Sequence, residues 1–181
     1  MRRWGVAFCA LLVALTAAFY YQQLQAKGRA GFPAPDFTLE ELSGERWRLS
    51  ELRGKVVFLN VWATWCSPCR MEMPSMERLH QRLKNDGLVI LAISEDEGGF
   101  SAVKPFVDEI GATFPVLLDP EGIVPVRYGV TGYPETFLID RRGQVVHHAI
   151  GPADWDSEEV YLFLAELLAQ PPDDNGAGAS G

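Results

Sequence analysis

Cys66 and Cys69, in the stretch WATWCSPCRMEMP (residues 62–74), stand two residues apart, with Trp65 before the first and Glu72 three residues after the second. Two thiols at this spacing can clip a metal ion, or they can exchange electrons with a disulfide as oxidant or reductant. A closed structural zinc site takes about four Cys or His ligands. The chain offers one further cysteine, Cys9, and three histidines at 80, 147 and 148. His80 falls on the segment after the cysteines, while His147 and His148 are neighbours in a strand pattern and should point to opposite faces. Zinc is therefore disfavoured. Met71, Met73 and Met76 are soft ligands that would suit copper, but methionines at helical spacing read first as core fillers. Three cysteines in all are too few to staple a core-less scaffold, so Cys66 and Cys69 are read as a local pair.

A cysteine attacks as the thiolate, and a helix N-terminus stabilises that charge with unpaired amides and the helix dipole. Cys66 has this position if a helix starts at Ser67, and Pro68 suits a first turn, where no amide partner is needed. Cys69 then lies one turn deeper, close enough to resolve a mixed disulfide and less exposed, which separates attacker from resolver. No histidine sits between the cysteines to favour thiolate, and a nearby Glu72 opposes it by like charge. Arg70 would act the other way if it turned inward, but its charge reads as solvent-facing. The expected direction is that of a weak to moderate reductant.

The elements that must position these residues follow from the pattern around them. DFTLEEL and RWRLSEL alternate around Ser43-Gly44, a hairpin signal. Lys55 to Trp62, KVVFLNVW, is a nearly continuous apolar run, as in a strand covered on both faces. After the cysteines, Met73, Met76, Leu79 or His80, and Leu83 recur at helical spacing up to Asn85-Asp86-Gly87, with a kink expected at Pro74. Leu88 to Ile93 is a second buried strand, and Phe100 to Ile110 a second amphipathic helix. Phe114 to Leu118 reads as a short strand and Pro120 to Tyr128 as a short helix. Thr136 to Asp140 and Gln144 to Ile150 form a hairpin about Arg141-Arg142-Gly143, and Ser157 to Leu168 closes as a helix. This order predicts an α/β sandwich with a mixed central sheet, with the cysteines at a strand-to-helix junction.

Arg2 and Arg3 precede Trp4 to Tyr21, eighteen residues without a charge. As a helix they would rise about 27 Å at ~1.5 Å each, close to the ~30 Å hydrocarbon core and longer than the ~7–15 apolar residues of a signal peptide. Length favours an uncleaved anchor over a cleaved leader or a core helix. Trp4 and Phe19, Tyr20 and Tyr21 suit the two interfaces, and the arginines keep the N-terminus inside, so the remainder faces outward. Cys9 lies within this run and reads as packing. Residues 28–181 carry 13 basic and 24 acidic groups, a formal charge of −11 that argues against a nucleic-acid partner. It reads first as a solvated surface, and second as one suited to basic clients. Residues 22–35 are polar, then rich in Gly, Ala and Pro, as in a tether.

The run from Trp62 to Cys69, followed by Glu72 and Pro74, and then GYPETFLID at residues 132–140, resembles the membrane-tethered TlpA/ResA/CcmG-type thioredoxin-like proteins. The resemblance spans roughly residues 33–169. It implies a thioredoxin-like α/β fold, a mixed central sheet flanked by helices with an N-terminal β-hairpin extension and membrane anchor. Length, composition and the resemblance together divide the chain into 1–26 signal-anchor, 27–35 linker, 36–169 thioredoxin-like domain and 170–181 tail, expected to be disordered for want of residues that could pack. The implied activity is thiol:disulfide reduction outside the bacterial inner membrane, in the periplasm or its equivalent, often in cytochrome c maturation. Its redox centre would be a Cys66–Cys69 disulfide, with no other cofactor and no metal. Partners would be client proteins with disulfides, such as apocytochrome c, and a membrane electron donor of the DsbD or CcdA type.

By the same resemblance Pro134 is the cis proline facing the disulfide, the Tyr133 backbone pairs with an extended client segment, and Trp65 supplies apolar contact beside the exposed sulfur. Thioredoxin itself has a buried aspartate as proton acceptor where this chain has Asn60, and Glu72, on the face of Cys69, is placed to replace that base. Ala63 stands where a peroxiredoxin wants threonine, three residues before its attacking cysteine, which disfavours a peroxidase. A dithiol copper-delivery protein, a disulfide oxidant and a non-redox binding module are the competing functions.

Overall fold

The computed structural model describes residues 30–171. The membrane-anchor reading and most of the tether and tail readings fall outside those residues; among the described ones no helix is long and apolar enough to cross a membrane. Eight strands form one sheet: β1 (Phe32–Pro33), β2 (Thr38–Glu41), β3 (Arg46–Arg48), β4 (Val56–Trp62), β5 (Leu88–Ser94), β6 (Val116–Leu118), β7 (Glu135–Ile139) and β8 (Gln144–Ile150). The helices are α1 (Ser67–Leu83), α2 (Gly99–Ile110), α3 (Ile123–Tyr128) and α4 (Glu158–Ala169), with 3-10 turns at Leu49–Leu52 and Lys84–Asp86.

The sheet order is β1-β8-β7-β4-β5-β6-β2-β3. β4, β5 and β6 run parallel, and β7 is antiparallel to β4 and β8 to β7, so the sheet is mixed as expected. Every residue of β4 is buried. Its alternation splits the core: Phe58 and Trp62 face Met73, Met76, Leu79 and Leu83 of α1, Val103 and Phe106 of α2 and Leu164 of α4. Val57, Leu59 and Val61 face Phe37, Leu39 and Leu49 of the N-terminal extension and Val124 and Tyr128 of α3. A central strand sandwiched this way has no polar face, which is why its sequence lacks period-2 alternation.

The hairpin predicted at Ser43-Gly44 is the β2–β3 pair, docked on β6 at one edge of the sheet. Phe32 and Pro33, within the stretch read as tether, pair with β8 at the opposite edge. The chain between crosses one face with Ala34 and Phe37 buried, held where Tyr128 Oη donates to the Pro35 carbonyl. A two-residue strand is too short to leave a periodicity in sequence.

α1 runs through Pro74 as one element and ends at a 3-10 turn before Gly87, whose φ of 102° only glycine adopts readily. α2 likewise contains Pro105. α3 starts at Ile123, three residues later than its pattern suggested, because both Asp119 oxygens accept from the first helical amides, Ile123 N and Val124 N.

Strand directions place four connections on one edge of the sheet. Trp62 ends β4 beside Ser94 at the end of β5, Glu135 begins β7 opposite Val61, and Ile150 ends β8 opposite Glu135. The cysteine loop, residues 95–96, residues 131–134 and residues 151–155 therefore meet at one rim.

Candidate active site

Cys66 is the N-cap of α1, with extended backbone (φ −85°, ψ 102°), and its sulfur accepts from Cys69 N at 3.2 Å. Pro68 sits in the first turn, where it displaces no helical hydrogen bond. Cys66 and Cys69 form a disulfide with their Cα atoms 5.3 Å apart. Cys66 retains 6% of its surface and Cys69 none, so an incoming group meets Cys66 first.

The loop before the disulfide is fixed by Asp96. Its carboxylate accepts from Thr64 N (2.9 Å), from Thr64 Oγ1 (2.5 Å) and from Ser94 Oγ (2.8 Å). Trp65 is consequently held out of the core, 69% exposed, with its ring edge-on to Tyr133 at 5.6 Å between centroids. The Tyr133-Pro134 peptide bond is cis, as the resemblance implied. Burial and the nearby carboxylates of Glu95, Asp119 and Glu135 push the Tyr133 hydroxyl above its ordinary titration range.

Glu72 is not the exposed helix carboxylate that its type alone would suggest; it is 3% exposed on the sheet side of α1. Its Oε1 accepts from Asn60 Nδ2 at 2.9 Å, and its Oε2 from Trp155 Nε1 at 2.9 Å and Ala153 N at 3.1 Å. Asn60 Nδ2 also reaches Thr136 Oγ1 at 2.9 Å. Burial raises the Glu72 carboxyl above the carboxylate range, and the bonds from Trp155, Ala153 and Asn60 act against that rise. The site thus contains a buried acid that can gain and lose a proton on the helix face of Cys69.

The structure brings together Cys66, Cys69, Trp65, Tyr133, Pro134 and Glu72, with Asn60 beneath. Arg70 stays at the surface, over the Phe106 ring at 4.4 Å and 3.9 Å from Glu109, and does not turn toward the sulfurs. Met73 and Met76 lie in the core and Met71 outside it. His147 packs on Phe163 and His148 stacks on Phe137, on opposite faces of β8.

Sequence reasoning missed Trp155, Asp96, Glu95 and the role of Glu135. Glu95 follows β5, its amide bonded to the Trp62 carbonyl, and its carboxyl is pushed up to about 8 by burial and then by Asp119 and Asp96. The acidic run SEDE at residues 94–97 was visible, but only the fold turns it toward the cysteine loop.

The fold and this rim define a thioredoxin-like thiol:disulfide oxidoreductase. The AhpC/TSA family model matches residues 30–148, and the chain belongs to that family. It is 43% identical over 136 residues to thiol-disulfide oxidoreductase ResA of Bacillus thuringiensis (strain Al Hakam), covering 75% of this chain and 78% of that one. Thioredoxin-like protein YneN of Bacillus subtilis (strain 168) is 40% identical over 159 residues, 85% of this chain and 92% of its own. Among solved structures, a Chlorobium tepidum protein described as thiol:disulfide interchange protein DsbE superimposes with a TM-score of 0.71 at 36% identity, covering 77% of this chain and 98% of that one.

Proposed function

We propose that the protein is an extracytoplasmic disulfide reductase, held at the bacterial inner membrane by residues 1–26, that reduces client proteins of the apocytochrome c kind. The supporting observation is the division of labour at the rim: Cys66 caps α1 with 6% of its surface open, next in sequence to Trp65, whose ring meets Tyr133, while Cys69 is fully buried one turn below, toward Glu72. The Cys66 thiolate attacks one sulfur of the client disulfide and expels the other as thiolate. Cys69, losing its proton, then attacks Cys66 in the mixed disulfide and releases the second client thiol. The protein leaves oxidised by two electrons, as the Cys66–Cys69 disulfide.

Glu72 is the proton acceptor for Cys69, in the place of the aspartate that Asn60 replaces. Trp65 gives apolar contact and the Tyr133 backbone pairs with the client as an added strand. Recharging in an oxidising compartment requires a dithiol donor, supplied through a membrane protein of the DsbD or CcdA type. The test is a Cys69→Ser variant expressed in its native host: it should accumulate Cys66 in mixed disulfides with the client, identifiable by mass spectrometry after diagonal electrophoresis. Recovery of no such adduct, with stoichiometric Cu(I) binding instead, would replace this function with copper delivery.

A further inference from the structure

Glu135, the residue after the cis proline, is a carboxylate with no exposed surface at the start of a strand that is otherwise apolar but for Thr136. A buried charge costs several kcal/mol unless it is paired and fully hydrogen-bonded. Here the partners are specific. Oε1 accepts from Thr131 N (2.8 Å), Thr131 Oγ1 (2.8 Å) and Gly132 N (3.2 Å). Oε2 lies 2.7 Å from Nε2 of the buried His148 on the neighbouring strand, whose ring stacks on Phe137 at 4.1 Å. Thr131 and Gly132 are themselves exposed, so water could satisfy their amides and the carboxylate is not required for that. What it adds is position: residues 131 and 132 are tied to Glu135, and the Pro134 carbonyl accepts from Gly151 N at 2.9 Å. Tyr133 lies between these two anchors, facing Trp65.

We propose that Glu135, braced by His148, is the positioning residue that holds the 131–134 loop in the geometry a client backbone needs at Cys66. This rests on the reading that clients dock against that loop. Main-chain pairing tolerates errors of only about 0.5 Å, whereas the cysteines and Glu72 have separate supports in Asp96, Asn60, Trp155 and Ala153. Loosening Glu135 should therefore slow peptide disulfides and spare small ones.

The experiment uses the full-length protein, reduced with dithiothreitol, freed of it, and mixed in single turnover with one of two oxidants. One is a short extended peptide closed by a disulfide; the other is bis(2-hydroxyethyl) disulfide, too small to engage the loop. In each, the protein dithiol becomes the Cys66–Cys69 disulfide and the oxidant becomes two thiols. Glu135→Ala should lower the peptide rate constant by about tenfold or more, as expected for a buried charge-assisted network, and leave the small disulfide within about twofold. Glu135→Gln, which keeps an acceptor oxygen, should recover part of the loss. Thr131→Val, a surface change that removes only the hydroxyl donor, should lower the peptide rate a few-fold even if the Glu135 variants fold poorly. Equal losses with both oxidants, or no loss in Thr131→Val and Glu135→Gln, would overturn the positioning role alone. A wild-type protein that shows no preference for the peptide over the small disulfide would overturn the docking reading and this inference with it.

Discussion

Asn60 Nδ2 donates to Glu72 Oε1 across 2.9 Å in the sealed core beneath the disulfide. An amide at this strand position supplies a hydrogen bond but cannot take up a proton, so the titratable member of the pair is Glu72, one turn along α1 from Cys69. A carboxylate there opposes thiolate formation by like charge. Glu72→Gln should therefore lower the apparent pKa of the cysteine pair by about one unit and shift the reduction potential toward the oxidant end. Thiolate absorbance at 240 nm against pH, with equilibration in glutathione buffers, measures both. An unchanged titration would remove Glu72 from the proton path.

The same carboxyl sets a pH dependence of stability. Because burial raises the folded pKa of Glu72 above the ordinary 4.5, the folded state holds this proton more tightly than the unfolded chain. Its stabilising contribution is then complete below the unfolded pKa and is lost as pH rises through the folded value. Trp155→Phe removes the Nε1 donor that favours the carboxylate and disturbs the edge-on packing on Phe58 at 4.7 Å. The variant should lose about 2–3 kcal/mol and lose more at about pH 8 than at about pH 5. Urea unfolding at both pH values is the measurement, and a loss independent of pH would show that the Trp155 bond does not govern Glu72.

How much of this was legible beforehand differs by range of contact. Strands β4 and β5 and helices α1 and α2 declare themselves because periodicity and stop signals are local, and the cysteine motif declares itself because its chemistry fits within one turn. Trp155 does not, because its bond to Glu72 spans 83 residues and lies in a loop with no periodicity. Asn60 and Thr136 meet across 76 residues, through a strand register that no local pattern encodes. Glu135 stood in plain view inside GYPETFLID, yet only the turn geometry of residues 131–134 reveals which donors it collects. The short strand β1 leaves no strand signal because Pro33 and its neighbours have linker composition, and its ladder partner lies more than a hundred residues away in β8.

Glu95 offers a second, separable pH effect. With its carboxyl pushed up to about 8 by burial and by Asp119 and Asp96, the contribution of Glu95 to stability is lost as pH rises from about 4.5 to about 8. Glu95 is only half-buried, so solvent screening leaves about 1–2 kcal/mol of that effect. Glu95→Gln should flatten this limb and be more stable than wild type at about pH 8, with little difference at about pH 4.5. Thermal unfolding across that range checks it, and a parallel pair of curves would reject the shift.

Trp65 separates binding from folding. At 69% exposure its ring contributes little to the core and meets Tyr133 edge-on. Trp65→Ala should change unfolding free energy by no more than about 0.5 kcal/mol. If the ring instead covers apolar client surface beside Cys66, truncation removes a hot-spot-like contact of about 1–2 kcal/mol, a rise in KM for a disulfide peptide of about five- to thirtyfold with kcat nearly unchanged. Steady-state kinetics with the peptide and dithiothreitol as reductant, beside a denaturation curve, distinguish the two. A variant that loses stability while keeping KM would place Trp65 in the fold and not in the client groove.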